Sequence, residues 1–276
     1  MKKAICLISV SMLIFTGCGK DNNENNNINN NTEMITTEIT TQQETNNNNS
    51  GETLTDSYTI TSLTNNSDVT AEDGSVILKL ASSYPAITEN DSEIVSNINK
   101  QFEEKSKEFI EESKNGETAK NALAAYNAAN GNTFSPFTMQ QSYEVTYNKN
   151  NILSVVNNYI EETGNDLPEY SKQAFTYDMK TGNMLAITDI LNISEEEINN
   201  IVTENFTNII NASPEAYYDD AATTLSDNLE YLNYYLTDNG IVFYFQPYII
   251  SPYETSYPQF TLTYNDNPDI FQPVYH

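Results

Sequence analysis

Nucleophilic catalysis and structural metal binding draw heavily on cysteine and histidine. This chain of 276 residues has two cysteines and one histidine. Cys6 and Cys18 lie in the N-terminal segment, and His276 is the last residue. The folded part can therefore build no thiolate nucleophile, no disulfide and no Ser–His or Cys–His pair. A histidine on a fraying terminus is poorly placed for catalysis. Ala71-Glu72-Asp73-Gly74 and Thr237-Asp238-Asn239-Gly240 contain turn residues, but neither continues as a calcium loop, and no glycine motif for a nucleotide phosphate occurs. Neither catalytic residues nor metal ligands nor a cofactor are expected. Carboxylates are the remaining chemistry, with 39 Asp and Glu. A carboxylate pair for glycoside hydrolysis is defined by spatial separation, so a glycan hydrolase stands as the alternative to a non-enzyme.

The more informative residues are aromatic: 19 tyrosines and 11 phenylalanines, with no tryptophan. Many tyrosines occupy strands, where they serve the core and its edges. Tyr248, Tyr253 and Tyr257 instead fall in a segment interrupted by Pro247, Pro252 and Pro258. Tyrosines on a stiff loop give large contact area at low entropic cost, so these three are candidate binding residues. The competing reading packs the loop back onto the sheet. Asp219-Asp220, after Tyr217-Tyr218, are a second candidate, with a solvated helix end as the competing reading.

The formal net charge is −27 and there is no arginine. Nucleic acid is an improbable partner, because phosphate contacts need a basic surface. A basic protein, a cationic peptide or divalent metal ions suit the charge better, and solubility alone would also account for it.

The elements that must position these residues begin after an export segment. Met1-Lys2-Lys3 and the apolar run Ala4–Phe15 read as a secretory signal over 1–17. Phe15-Thr16-Gly17-Cys18 resembles the lipobox of bacterial lipoproteins, which implies a lipid on Cys18 and a place on the outer face of the cell membrane. Residues 18–70 are rich in Asn, Thr and Glu and are expected to form a disordered tether.

Beyond it, Ser75–Leu80 reads as a strand, running on to Tyr84-Pro85-Ala86-Ile87. A helix with Ile94, Ile98, Phe102, Phe109 and Ile110 near one face follows, capped by Asp91 or Ser92. An alanine-rich helix then covers Ala119–Ala129. Alternation predicts strands around Tyr143–Tyr147, Ile152–Ile160 and Phe175–Met179, with Met184–Ile187 continuing the meander. Ser194 and Glu197 form a capping box, which accounts for the cluster Glu195-Glu196-Glu197 without a metal. Asn239-Gly240 predicts a type I′ hairpin between Leu232–Leu236 and Ile241–Phe245, before a last strand Phe260–Tyr264. Strands cluster instead of alternating with helices. The expected fold is α+β: an antiparallel β-sheet meander packed with two or three amphipathic helices, as two intertwined subdomains over 71–160 and 161–265, with a tail over 266–276.

From about Ser75 to Tyr264 the chain resembles the paired extracytoplasmic domains of the lysozyme-sensing anti-sigma factor RsiV and of the peptidoglycan deacetylase PdaC. The first domain is carried by Val76–Leu80, Tyr84-Pro85-Ala86-Ile87, Ile98-Asn99, Ser142–Asn148 and Ile152–Val155. The second is carried by Phe175–Gly182, Ile187-Thr188-Asp189-Ile190-Leu191 and Gly240–Tyr253. In place of the family's histidine-bearing loop stands Thr163-Gly164-Asn165-Asp166. The resemblance implies a binding or sensing module for a wall-associated ligand. One branch implies lysozyme; wall glycan and a structural role in envelope assembly are the alternatives.

Overall fold

The structure, a computed structural model, describes residues 57–88, 92–164 and 167–272. The signal segment, Cys18, the first part of the expected tether, Asp91, Asn165-Asp166 and His276 lie outside the described residues. The fold is α+β, with a five-stranded and a three-stranded sheet.

The first strand corrects the sequence reading. β1 (Ile60–Thr70) lies inside the stretch expected to be tether. Its side chains are mostly polar, so no apolar run announced it. Backbone pairing recruits it instead: it runs antiparallel to β2 (Val76–Ile87) from Ile60↔Ile87 to Thr70↔Val76. Ile60, Leu63 and Val69 add apolar contact. Asn148 clasps the preceding residue, accepting from the Tyr58 amide at 3.0 Å and donating to its carbonyl at 2.7 Å.

α1 (Glu93–Asn115) starts at Ser92, whose hydroxyl accepts from the Val95 amide at 3.2 Å. Val95, Ile98, Phe102 and Ile110 are buried at helical spacing. Asn99, within the motif Ile98-Asn99, locks the helix to the end of β2. Its side chain accepts from the Ile87 amide at 2.8 Å and donates to the Ile87 carbonyl at 2.9 Å. α2 (Glu117–Ala129) ends at Asn130, in the left-handed conformation with φ 47°. This pair of helices connects β2 to β3 (Phe137–Lys149), which pair in parallel. That pairing is the exception to the expected antiparallel meander. Asn150 (φ 54°) and Asn151 (φ 59°) then turn the chain into β4 (Ile152–Glu162). Positive φ at both turn residues is what a two-residue type I′ hairpin requires.

β5 (Glu169–Asp178) pairs with β4 and completes the order β1-β2-β3-β4-β5. The division expected at residue 160 falls inside β4, so the five-stranded sheet takes its last strand from the second segment. Met184–Ile187 does not continue the meander. Only Tyr177↔Met184 form an isolated bridge, and Ile187 opens the short helix α3 (Ile187–Ile190). The physical cause is Asp189, whose carboxylate accepts from the Ala186 amide at 2.7 Å and favours a helical turn.

α4 (Glu195–Ala212) carries the capping box: the Glu197 amide donates to Ser194 Oγ at 3.2 Å, and the Ser194 amide donates to Glu197 Oε2 at 2.9 Å. α5 (Ala221–Thr224) is a single turn. β6 (Asn233–Thr237), β7 (Gly240–Tyr244) and β8 (Gln259–Thr263) form the antiparallel sheet of order β6-β7-β8. Ile198, Val202, Phe206 and Ile210 of α4 bury against Leu236, Ile241, Phe243 and Leu262 of this sheet. The segment beyond 265 is not a free tail as far as it is described. Phe271 is buried and bridges Leu191, the Asn192 amide donates to the Ile270 carbonyl at 2.7 Å, and the Gln272 amide donates to Ile190 at 2.9 Å.

The β6–β7 turn also departs from expectation. Asp238 and Asn239 connect the strands without positive φ, and Gly240 alone takes φ 153°. Glycine is needed there because a Cβ would lie 2.1 Å from the Leu262 carbonyl oxygen. Gly240→Ala is expected to destabilise the protein by about 2 kcal/mol or more, combining strain with a backbone clash. Urea unfolding of the two proteins measures it, and equal midpoints would contradict this account.

Candidate functional site

The segment between β7 and β8 leaves the sheet at Gln246 and returns at Pro258. Its three prolines have no amide to offer a ladder, so it loops. Pro247, Ile250 and Ser251 are buried and anchor it. Two non-glycine residues on it, Tyr248 (φ 69°) and Ser256 (φ 63°), have positive φ. Such conformations are costly for a bulky side chain and cluster at functional sites.

On this loop Tyr248 is exposed and Tyr253 is half-buried beside it. Their rings stack at 5.8 Å with an interplanar angle of 27°, and Tyr253 stacks in turn on Tyr170 of β5 at 6.0 Å and 13°. The result is a ladder of three rings, Tyr170–Tyr253–Tyr248. The Tyr253 hydroxyl donates to the Pro168 carbonyl, which fixes the middle ring. Burial, then Tyr170, Tyr248 and Glu169, hold that hydroxyl above the ordinary phenol range. The outer rings stay open, Tyr170 at 43% and Tyr248 at 48% exposure, and Leu167 nearby in the chain is 70% exposed. Tyr170 and Leu167 were not singled out from the sequence. Tyr170 begins an alternating strand and looks like any strand tyrosine.

Tyr257 does not join this surface. It turns inward to Lys172 of β5, whose ammonium lies 4.1 Å from the ring centre of Tyr244, 4.3 Å from Tyr257 and 5.1 Å from Tyr235. Lys172 is only 8% exposed. Its Nζ donates to Gln259 Oε1 at 3.4 Å. Gln246 clasps its backbone, accepting from the Lys172 amide at 3.2 Å and donating to its carbonyl. No residue pattern signals this cage, because a lysine in a polar strand reads as solvated. The attraction of a cation for ring faces explains why Tyr257 packs inward.

Asp219 and Asp220 lie on a surface segment tied to the same loop: the Tyr218 amide donates to the Ile250 carbonyl at 3.2 Å, and Thr255 Oγ1 donates to the Ala216 carbonyl. Asp220 precedes α5, and its carbonyl accepts from the Thr223 and Thr224 hydroxyls at 2.8 and 3.0 Å. That is the solvated helix end of the sequence reading. Among the described residues no three acidic, histidine or cysteine side chains converge to hold a metal ion. The arrangement offers ring faces and carboxylates for contact.

The two sheets and their order of elements define a class, the paired PdaC/DUF3298 module. The family described as "Deacetylase PdaC" matches residues 71–165, and that described as "Protein of unknown function (DUF3298)" matches residues 188–265. This chain carries both domains, in that order. Its fold is similar to that of a DUF3298 family member from Bacteroides fragilis, at 18% identity and TM-score 0.54, covering 78% of this chain and 94% of that one. A DUF3298 family protein from Pseudomonas aeruginosa aligns at 13% identity and TM-score 0.49 over 80% of this chain and 97% of that one. No curated protein matches the sequence.

Burial lowers the Lys172 pKa to about 8, against the pull of the Glu144 charge, which favours the ammonium. Below pH 8 the lysine is charged in both folded and unfolded chains. Above it the folded chain releases its proton first, so the unfolded state binds more protons and stability rises with pH. The tyrosines act in the opposite sense only near and above their unfolded value of about 10. Stability is therefore expected to increase between about pH 8 and 10, and Lys172→Met to abolish that increase. Chemical denaturation at several pH values checks this; an unchanged slope in the variant would remove the assignment.

Proposed function

We propose that the protein is a non-catalytic binding module, exported and lipid-anchored through Cys18 to the outer face of the cell membrane. Its ligand is a cell-wall-associated molecule: a cationic protein such as lysozyme in the first instance, or wall glycan. The observation that carries this reading is the Tyr170–Tyr253–Tyr248 ladder. Its two outer rings are exposed, it sits on a loop with strained residues, and the charge of Glu169 acts on its middle ring. Exposed tyrosines of restricted conformation are the side chains that dominate recognition surfaces. The chain's charge of −27 would steer a cationic partner towards it.

The name of the first matching family speaks of a deacetylase. Residues 71–165 contain neither histidine nor cysteine, and on the present reading they contribute the strand against which β5, with Tyr170, pairs. Among the described residues no helix is long and apolar enough to cross a membrane, so on this reading the lipid on Cys18 is what holds the protein to it.

Immobilised lysozyme is expected to retain the protein at low salt and to lose most of it as ionic strength rises to about 0.3 M, where the Debye length falls well below 10 Å. Tyr248→Gly removes an outer ring while relieving the positive φ, and should weaken retention about tenfold without loss of stability. Absence of retention at either salt would sink the lysozyme assignment. In producing cells, Cys18→Ala should move the protein from the membrane fraction to the medium.

A further inference from the structure

β8 is the last strand of its sheet, and its outer edge is open among the described residues. The register and the flanking bonds say which backbone groups face outward. The Tyr264 amide donates to the Asn239 carbonyl and the Phe245 amide donates to the Pro258 carbonyl, both at 3.0 Å. With the pairing Gly240↔Thr263 through Tyr244↔Gln259, the hydrogen-bonded positions of β8 are then 258, 260, 262 and 264. Gln259, Thr261 and Thr263 direct their amides and carbonyls away from β7. The Thr263 carbonyl is taken by the Asn267 side chain at 3.1 Å. Thr261, exposed, has no outward backbone partner among the described residues.

This edge does not face open water alone. A groove of about 360 Å³ runs beside it, walled on the other side by one flank of α4. Ile201, Glu204, Asn205 and Asn208 recur on that flank at the spacing of one helical stripe, and Asp266 and Asn267 close an end. An open sheet edge beside a helix is the geometry in which an extended peptide adds as a strand. Charge selects the kind of peptide. The groove holds Glu204 and Asp266 and no cation, and the sequence has no lysine or arginine after Lys180. A second copy of the chain would bring like charges together at this edge.

We propose that the groove between β8 and α4 binds an extended, lysine- or arginine-bearing peptide segment, which pairs with the outer edge of β8 as a fourth strand. Main-chain bonds to Thr261 supply register, and Glu204 and Asp266 receive the basic side chains. The site is separate from the tyrosine ladder, so the proposal holds or fails independently of what the ladder binds.

The test uses the full-length protein in detergent and the acetylated, amidated probe Thr-Lys-Val-Lys-Thr, followed by isothermal titration calorimetry and by hydrogen exchange. The lysine probe should bind, and slow exchange of the Thr261 amide. Its glutamate counterpart should bind at least about tenfold more weakly. N-methylation of the probe's alternate amides should weaken binding about tenfold, the loss of roughly one backbone hydrogen bond. Thr261→Pro removes an outward donor without touching the β7 ladder and should do the same; Glu204→Gln with Asp266→Asn should erase the preference for lysine. Equal binding by methylated and unmethylated probes would mean adhesion by charge alone and would overturn the proposal. So would protection of Thr261 that follows protein concentration and ignores the probe, which would identify a second copy as the occupant.

Discussion

The two sheets meet at Lys172. Its strand, β5, belongs to the five-stranded sheet, while Tyr235, Tyr244 and Gln259 belong to the three strands that follow, and Gln246 and Tyr257 to the loop that carries the ladder. Taking an ammonium out of water costs several kcal/mol. Each ring face returns about 2 kcal/mol when desolvated. Three faces and one amide therefore offset much of the cost but supply no counter-ion, and the remainder appears as the lowered pKa. An all-apolar contact would join the sheets more cheaply. The main chain at 172 adds geometry: its amide donates to Gln246 Oε1 and its carbonyl accepts from Gln246 Nε2, a clasp that fixes where the loop departs from β7. The positions of Tyr253 and Tyr248 follow from that departure and from Tyr170, two residues before the lysine on the same strand.

The rest of the five-stranded sheet is built to hold β5 still. α1 spans the sheet above two apolar clusters, one around Phe102, Leu153 and Tyr177, the other around Ile77, Leu78 and Ile110. A polar group lies under the same helix: Ser82 and Ser106 hydroxyls at 2.7 Å, and Ser82 donating to Gln141 at 2.9 Å. Buried hydrogen bonds of this kind contribute about 1 kcal/mol each when made and cost more when broken, so they resist sliding of the helix more than they add stability. Asn99 resists the same motion at the end of β2.

Local chemistry was legible in the sequence wherever one residue decides the outcome. Ser194 with Glu197, Asn130 after α2, and Ser92 before α1 all act as their side chains require. Long apolar periodicity gave α1, α4 and the strands β4 and β7. β1 was hidden because its stabilisation comes from backbone pairing with β2, which leaves no mark on side-chain pattern. Asn239-Gly240 misled because the glycine is required by the approach of the Leu262 carbonyl from β8, a contact distant in sequence. The loop tyrosines were found by composition, but composition could not divide them. Tyr257 faces a buried cation from another sheet, and Tyr253 faces a ring from β5. The third rung, Tyr170, lay outside the loop altogether.

That division bears on how the ladder is to be understood. A tyrosine at φ 69° carries roughly 1–2 kcal/mol of backbone cost. In a core position, burial of the ring would offset it, since complete burial of such a side chain yields about 2–3 kcal/mol. Tyr248 is half exposed, so it recovers only part of that. Its stacking on Tyr253 adds about 0.5–1.5 kcal/mol, so the net gain from placing the ring there is small, about 1 kcal/mol. The fold gains little by it. The buried Pro247, Ile250 and Ser251 over-determine the backbone around it, and the strain persists because these anchors hold. A residue whose placement is nearly neutral for folding yet fixed in orientation is pre-organised for contact, with its rotamer entropy already spent before any partner arrives.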